Sequence, residues 1–195
     1  MKVFRAAVTM TVVAGCLWGC SGFKPFYVYT ENESPKNHYV PTGVMGDYGD
    51  LTVQQDCTES PQSGKTCIKI NYSAAGSNAA RWAGIYWQEP ANNWATVEKG
   101  GFDLTGAKKL TFWARSEKGG EKIVEFKVGG IQGDFPDTAL FTLSSVVLTK
   151  EWKKYEIVFD QTANLKRIAG GFCFAVAQND NPAGLVMYID EIRYQ

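Results

Sequence analysis

The sequence has 195 residues, which is room for one domain and too little for two of ordinary size. Its 20 Lys and Arg residues balance 20 Asp and Glu residues, so the basic surplus typical of nucleic-acid-binding proteins is absent. Apolar residues make up 45%, which is typical of a globular protein and excludes a disordered one. A single His leaves little room for His-based metal or triad chemistry, whereas six Trp residues and an aromatic share of 13% stand out.

Residues 1–19 have the pattern of a signal peptide. A short basic start precedes the uncharged run 6–17, which is too short to span a bilayer as a mature helix. The segment ends in Leu17-Trp18-Gly19-Cys20, which resembles the lipobox of bacterial lipoproteins, although Trp18 is larger than the usual residue there. The resemblance implies lipid modification of Cys20, including palmitate, with residues 20–24 as a short tether. An ordinary secretion signal with incidental cysteines is the alternative.

The lipobox resemblance also implies a location. The protein is expected to be exported and anchored to the cell envelope through its lipid. Ser21 follows the cysteine, which resembles an outer-membrane address if the host is a diderm bacterium. Membrane contact is expected through this anchor alone.

Three cysteines remain for the exported domain, where the oxidising environment allows pairing. Cys57 and Cys67 flank a turn-rich stretch, and we expect a disulfide between them that stabilises the fold by roughly 2–3 kcal/mol. Cys173 lies between Phe172 and Phe174 and is expected to be a buried free thiol.

From residue 25 to residue 195 the chain consists of short runs with period two, separated by Gly, Pro, Asn and Asp. This pattern predicts an all-β domain, a β-sandwich or barrel, in which the inward residues of two sheets form the core. A turn at 164–168 is the one helix candidate, and 45–50 is expected to be a turn cluster. The ten predicted strands lie at Phe26–Thr30, Leu51–Asp56, 68–72, Ala83–Gln88, 110–115, 124–128, Leu143–Leu148, 155–159, 172–176 and Val186–Tyr194.

Three motifs in the second half of the chain point to one fold family. Residues 101–115, Gly-Phe-Asp-Leu-Thr-Gly through Leu-Thr-Phe-Trp-Ala-Arg, resemble a conserved stretch of galactose-binding-like jelly rolls. Residues 148–157 contain the Trp-x-x-Tyr-x-Ile pattern of these domains, and 188–194 resemble their closing strand. The match covers residues 100–194 and, more weakly, 40–100. Many non-catalytic carbohydrate-binding modules have this jelly-roll fold, so a carbohydrate or polysaccharide ligand is implied, although the fold also carries other functions.

The segment 81–94 is dense in the side chains that bind sugars. Aromatic rings cover the apolar face of a sugar, and planar polar groups bind its hydroxyls. Alternation places one set of side chains outward or into a groove, while Ala83, Ile85 and Trp87 face the core. The alternative is that these aromatics fill the sandwich. The candidate ligand-binding residues are Arg81, Trp82, Tyr86, Gln88, Asn92, Asn93 and Trp94.

A second candidate surface is formed by Trp113, Arg115 and Glu125, which lie on the non-core faces of two strands expected to be neighbours. They are predicted either to line a concave binding face or to belong to a solvated sheet with cross-strand ion pairs.

Asp190 lies on a face that the alternation shares with Tyr188, Ile192 and Tyr194, and a carboxylate there needs a partner. The matching Asp of the resembled modules often holds a structural calcium ion with oxygens from early loops. Calcium prefers several oxygen ligands. The candidate partners are Glu31, Asn32, Glu33, Asp47 and Asp50. The alternative is that Asp190 accepts hydrogen bonds from backbone or Arg groups with no metal.

These observations favour a lipid-anchored, non-catalytic carbohydrate-binding protein. A structural envelope lipoprotein that binds a protein partner is the alternative. An enzyme is not expected, because a glycosidase needs two facing carboxylates and no spacing supports a pair among Glu89, Glu125 and Asp134.

Overall fold

The computed structural model describes residues 22–195, so the predicted signal peptide and the predicted lipidation site Cys20 lie outside the described residues. Eleven strands and one short 3-10 helix, Tyr48–Asp50, form the domain. In chain order the strands are β1 Phe26–Tyr29, β2 Val40–Gly46, β3 Leu51–Cys57, β4 Cys67–Tyr72, β5 Trp82–Gln88, β6 Lys109–Ser116, β7 Lys122–Gly129, β8 Leu140–Val147, β9 Lys153–Val158, β10 Gly170–Ala177 and β11 Leu185–Tyr194.

The strands form two sheets, and every pairing between them is antiparallel. The first sheet has the order β3-β4-β11-β6-β9, with β1 also paired to β11, and the second has the order β2-β5-β10-β7-β8. The predicted all-β sandwich is therefore confirmed. No helix among residues 22–195 is long and apolar enough to cross a membrane.

The core lies between the sheets and is built from the inward residues of the alternating strands. Phe112 of the first sheet contacts Phe126 and Phe172 of the second, with ring centroids 4.7 and 5.1 Å apart. Trp87 is buried against Phe172 and Phe174, as the alternation of β5 predicts. Burial of such rings is the main stabilising contribution to a sandwich of this size.

Two local predictions are wrong. Residues 164–168 form no helix, and the strand Val40–Gly46 was not predicted. Its last two residues belong to the expected turn cluster 45–50, of which residues 47–50 do form a bend and the 3-10 helix. The missed strand contains Pro41 and two glycines, which weaken the sequence signal of a strand. The chain tolerates them because β2 is an edge strand of the second sheet.

The predicted shared face of Trp113, Arg115 and Glu125 is also wrong. The connection between β6 and β7, residues 117–121, passes from the first sheet to the second. Trp113 and Arg115 therefore lie on the outer face of one sheet and Glu125 on the outer face of the other. A short connection ordinarily joins two neighbouring strands of one sheet. The local sequence carries no signal that residues 117–121 instead connect strands of two different sheets.

The alternation of β11 is interrupted by a β-bulge between Asp190 and Arg193, where Glu191 has a φ of 51°. A bulge adds a residue to one strand and shifts the phase of its side chains. Ile192 and Tyr194 therefore point into the core, whereas Asp190 lies on the outer side with Tyr188. The prediction that these four residues share one face is wrong for this reason.

Candidate functional site

On the outer face of the second sheet, one strip crosses all five strands between Trp82 and the Trp94 loop, and we call this strip the groove. Its floor is a row of cross-strand partners in which Gly84 and Ala175 occupy the centre. Cross-strand partners share one face of a sheet, so these side chains form a continuous strip. The row runs Met45, Gly84, Ala175, Glu125, Ser144. Its central residues are small and buried, and the methyl group of Met45 lies against Gly84.

Two exposed tryptophans flank this floor. Trp82 precedes Gly84 on the same face of β5, pairs with Ala177 and is 39% exposed. Trp94 is 38% exposed and lies edge-to-face against Tyr86, with ring centroids 6.0 Å apart. Trp82 and Tyr86 are four residues apart on one strand, which is about 13 Å. The groove therefore runs between two aromatic surfaces that solvent can reach.

The wall beside Trp94 is built from two loops, 89–97 and 130–138. Phe135 donates its backbone N–H to the Ala95 carbonyl at 2.9 Å, which joins the loops. Beneath them, Tyr86 and Cys173 form a small buried cluster with Ala95 and Ile131. Burial raises the pKa of the Tyr86 hydroxyl, which donates to the Gly129 carbonyl at 3.0 Å. Tyr86 thus supports the wall and is covered by it.

Asn93 shapes the Trp94 loop from within. Its amide nitrogen donates to the Glu89 carbonyl at 2.9 Å, and its amide oxygen accepts the backbone N–H of Thr96 at 3.2 Å. The Asn93 carbonyl in turn accepts a hydrogen bond of 3.0 Å from Gln88. Gln88 and Asn93 are both buried, and their side chains hold the loop through these hydrogen bonds. Asn92, in contrast, is exposed beside them.

The second loop is held by Asp137, which sequence reasoning missed. Its carboxylate accepts backbone N–H groups of Ile131, at 2.9 Å, and of Ala169. Burial raises the pKa of Asp137, although these hydrogen bonds act in the opposite direction. The carboxylate therefore fixes the loop that forms part of the groove wall.

Charged groups lie at the far side of the floor. Glu125 and Lys127 form an ion pair of 2.7 Å, and the Lys127 ammonium lies 5.2 Å from the centroid of the Tyr86 ring. Both side chains are partly exposed. They offer an acceptor and a donor for hydroxyl groups of a ligand in the groove.

Arg81 and Trp82 follow a turn that Asp47 organises. The Asp47 carboxylate accepts the backbone N–H groups of Asn78, Ala80 and Arg81 at 2.7 to 2.9 Å. Arg81 is exposed at the start of β5. The Asp47 carboxylate thus positions one end of the groove.

Trp113 and Arg115 lie on the opposite side of the molecule, and Arg115 contacts residues 58–66, which we call the strap. The Arg115 guanidinium lies 3.7 Å from the centroid of the Tyr188 ring and donates to the Glu59 carbonyl at 2.9 Å. Trp152 donates its ring N–H to the Ser60 carbonyl at 2.9 Å. These contacts fix the strap to the first sheet, which is a structural role for Arg115.

The strap also carries an ion pair. Glu59 accepts hydrogen bonds from Lys69 at 2.6 Å and from the Tyr188 hydroxyl at 2.7 Å. The hydrogen bond from Lys69, and then that from Tyr188, hold the pKa of Glu59 below its usual range. The Tyr188 ring is 2% exposed and lies against Arg115 and Lys69, so it is not free for a ligand.

The predicted calcium ligands are not brought together. Asp190 accepts backbone N–H groups of Gln62 and Ser63, and Glu31 accepts those of Lys65 and Thr66. Glu33 is exposed on a loop. Within residues 22–195 no group of three or more His, Cys, Asp or Glu side chains could hold a metal ion. Calcium binding stays a prediction that calorimetric titration of the chelator-treated protein tests.

Cys57 and Cys67 are directly opposite each other on β3 and β4, and both are buried free thiols in the structure. The predicted proximity is confirmed, whereas the disulfide between them is not shown and stays a prediction. Cys173 is a buried free thiol, as predicted, and burial raises its pKa.

The other residues noted in the sequence have structural surroundings. His38 stacks on Phe26 with ring centroids 4.0 Å apart. Asp50 accepts the backbone N–H groups of Gly76 and Ser77. The Glu89 carboxylate accepts the backbone N–H of Gly101 at 2.7 Å, and Glu125 is paired with Lys127.

The floor residues Met45, Ala175 and Ser144 were not predicted. A sequence signal exists for the centre of the floor, since Cys173, Ala175 and Ala177 alternate with the bulky Phe172, Phe174 and Val176 on β10. The smallest outward side chains thus mark the lowest part of the face.

Comparison with solved structures bears on the fold. A family 30 carbohydrate-binding module of the cellulosomal cellulase Cel9D-Cel44B of Clostridium thermocellum is similar over 88% of this chain and 97% of its own, with a TM-score of 0.58 and 15% identity. A second structure of a family 30 carbohydrate-binding module gives a TM-score of 0.58 at 13% identity, over 88% and 98% of the two chains.

The fold is that of carbohydrate-binding modules. The jelly-roll sandwich predicted from the three motifs is thereby confirmed. At such low identity the likeness shows the fold alone. No protein-family model and no curated protein sequence matches the chain.

Proposed function

We propose that this chain is a non-catalytic carbohydrate-binding protein that holds a glycan or polysaccharide in the groove of the second sheet. The observation that carries the proposal is the pair of exposed tryptophans, Trp82 and Trp94, on either side of a floor of small residues. Tryptophan faces pack on the apolar faces of sugar rings, and a wide flat floor suits an extended chain. The fold shared with carbohydrate-binding modules supports this proposal.

Polar groups around the groove supply the second requirement of sugar recognition. Glu125 and Lys127 border the floor, and Ser144 ends it. Arg81 and Asn92 are exposed at the two ends of β5. We include these five residues in the proposed site. Gln88 and Asn93 are left out because the protein itself occupies their polar atoms.

A glycan array probed with residues 21–195 tests the proposal. Trp82→Ala and Trp94→Ala are each expected to weaken binding at least about tenfold, which is about 1.4 kcal/mol, because each removes a ring from the binding surface. Trp113→Ala is the matched control, since it removes a tryptophan from the opposite sheet and is expected to leave affinity unchanged.

Absence of binding to plant, algal and bacterial polysaccharides would overturn the proposal. So would equal affinities of the two groove variants and the unaltered protein. Capture of a specific envelope protein together with such a result would favour the alternative of a partner-binding lipoprotein.

We also propose that the protein is exported and anchored to the cell envelope by lipid on Cys20. The lipobox-like segment 17–20 supports this. A disulfide between Cys57 and Cys67 is proposed for the exported form, because directly opposed residues of antiparallel strands have Cα separations that suit a disulfide. Two thiols would pass two electrons and two protons to a disulfide oxidant, which becomes a dithiol.

A further inference from the structure

The chain enters the domain at one end of the sandwich. Phe23 is partly buried and packs against the core. Its ring lies 3.7 Å from the position that a Cβ atom would take at Gly106. The position of Phe23 is thus fixed by packing on the β5–β6 connection, rather than by the sheet pairing that begins at Phe26.

A hollow with an exposed apolar side chain lies beside this entry point. A cavity of about 560 Å³ is lined by residues 105–108 and 158–165. Val158, at its rim, is 63% exposed, more than any other large apolar side chain that the structure describes. Its lining is mixed, since Ala107, Phe159 and Leu165 are apolar whereas Thr105, Lys108, Asp160 and Gln161 are polar or charged. This end of the domain therefore presents uncovered apolar surface next to the N-terminal entry.

The distance to the proposed lipid is short. Only Ser21 and Gly22 separate Cys20 from Phe23, and three residue steps span at most about 11 Å. A lipid on Cys20 would enter the bilayer, so its backbone would lie at the bilayer surface. The end of the sandwich that holds Phe23 has to lie within that distance of the surface.

We propose that the domain rests on the lipid bilayer with the end formed by Phe23, residues 105–108 and residues 158–165. This inference rests on the lipid anchor of the proposed function. The membrane covers the hollow around Val158, and the opposite end, where β8 finishes at Val147, points away from it.

This orientation fixes the direction of the groove. Phe102, close to residues 105–108, pairs with Ile168 just before β10, and Glu89 at the end of β5 donates its backbone N–H to the Ala169 carbonyl. The ends of β5 and β10 that carry the Trp94 loop are therefore at the membrane end. Because the groove crosses the strands, it runs parallel to the membrane, with Trp94 nearer to the bilayer than Trp82. A bound polysaccharide would lie along the membrane surface.

Two labelled variants of the full chain test the orientation. Val158→Cys and Val147→Cys replace exposed valines, 63% and 54% exposed, at opposite ends of the sandwich, while Cys57, Cys67 and Cys173 are buried and protected from the label. Each lipidated protein is labelled with an environment-sensitive dye and reconstituted into vesicles of phosphatidylethanolamine and phosphatidylglycerol that contain a headgroup nitroxide. The two positions are separated by about the length of an eight-residue strand, roughly 25 Å.

The dye at position 158 is expected to be quenched severalfold more than the dye at 147 and to emit at shorter wavelength. Equal quenching in a protein whose lipid is confirmed by mass spectrometry overturns the orientation alone. Absence of the lipid overturns both the anchor and the orientation. Glycan binding is measured separately on residues 21–195, so its failure is distinguishable from either result.

Discussion

Asp190 is a carboxylate with no exposed surface, and its hydrogen bonds define its role. It accepts the backbone N–H groups of Gln62 at 2.9 Å, Ser63 at 3.1 Å and Glu191 at 2.8 Å. Burial raises the pKa of Asp190 to about 6, because the loss of water outweighs these hydrogen bonds. The side chain joins the strap to the closing strand at the bulge of β11.

This pKa predicts a pH dependence of stability. The ordinary value for Asp is 3.8, so between about pH 4 and 6 the folded chain binds a proton that the unfolded chain does not. The contribution of Asp190 to the free energy of unfolding therefore falls as pH rises through this window. At neutral pH the loss is on the order of 2–3 kcal/mol.

Asp190→Asn isolates this effect from the other carboxylates. Denaturant unfolding measures the free energy of unfolding of both proteins. The value for the unaltered protein minus the value for the variant is expected to be larger at pH 4.5 than at pH 7.5. A difference that stays constant, or that grows with pH, would contradict the raised pKa.

Asn93 gives a second prediction for a single residue. Asn93→Ala leaves the N–H groups of Thr96 and Val97 without their partner and removes one of the two donors to the Glu89 carbonyl, which costs roughly 1–3 kcal/mol of stability. Because Trp94 follows directly, glycan affinity is expected to fall although Asn93 is buried. Asn32→Ala, an exposed asparagine away from the groove, is the control for both measurements. Unchanged stability would contradict the loop-holding role.

At the level of elements, the strap and the strands that frame it behave as one unit. The strap begins after Cys57 and ends before Cys67, and these two cysteines are directly opposite each other on β3 and β4. Arg115, Trp152 and Asp190 bind its backbone from the first sheet. A covalent link at its base would close a short loop that these contacts already hold.

Thiol titration checks the proposed disulfide. The exported protein, denatured without reductant, is expected to show one reactive thiol, Cys173, and three after reduction. Reduction is expected to lower stability by roughly 2–3 kcal/mol in the chain-entropy description. Cys57→Ser is the control, with two thiols under both conditions. Three thiols before reduction would exclude the bond.

At the level of the whole molecule, the groove is defined by five strands rather than by any one segment. Neighbouring strands are about 4.8 Å apart, so the floor from Met45 to Ser144 is about 19 Å long. A single sugar contacts only part of it, whereas an oligosaccharide of that length contacts all of it.

The affinity for a linear glycan that binds is therefore expected to rise with each added sugar until the chain spans about 19 Å, and to change little beyond that length. Calorimetric titration with a series of oligosaccharides measures this. Shortening the floor at one end, with Ser144→Lys, is expected to lower the affinity for long ligands more than for short ones. Equal affinities across the series would indicate a site for one terminal sugar instead.

Much of the fold was predictable because its signals are local. Alternation along β5 is enough to assign Trp87 to the core and Trp82 to the outer face. Pro41 concealed β2, and the bulge at Glu191 shifted the face of Asp190, because both depend on neighbouring strands. The site was predicted less completely, since Tyr86, Gln88 and Asn93 have the composition of a sugar site but are covered by loops.

The sequence by itself determined an all-β sandwich, the position of its densest aromatic segment and the proximity of Cys57 to Cys67, because period-two patterns and turn residues act over a few residues. Only the tertiary structure decided that Arg115 and Glu125 lie on opposite faces, that Met45, Ala175 and Ser144 join Gly84 in one floor, and that Asp190 holds a strap. The physical reason is that these arrangements depend on which strands pair across the chain, and strand order is set by the packing of the whole core.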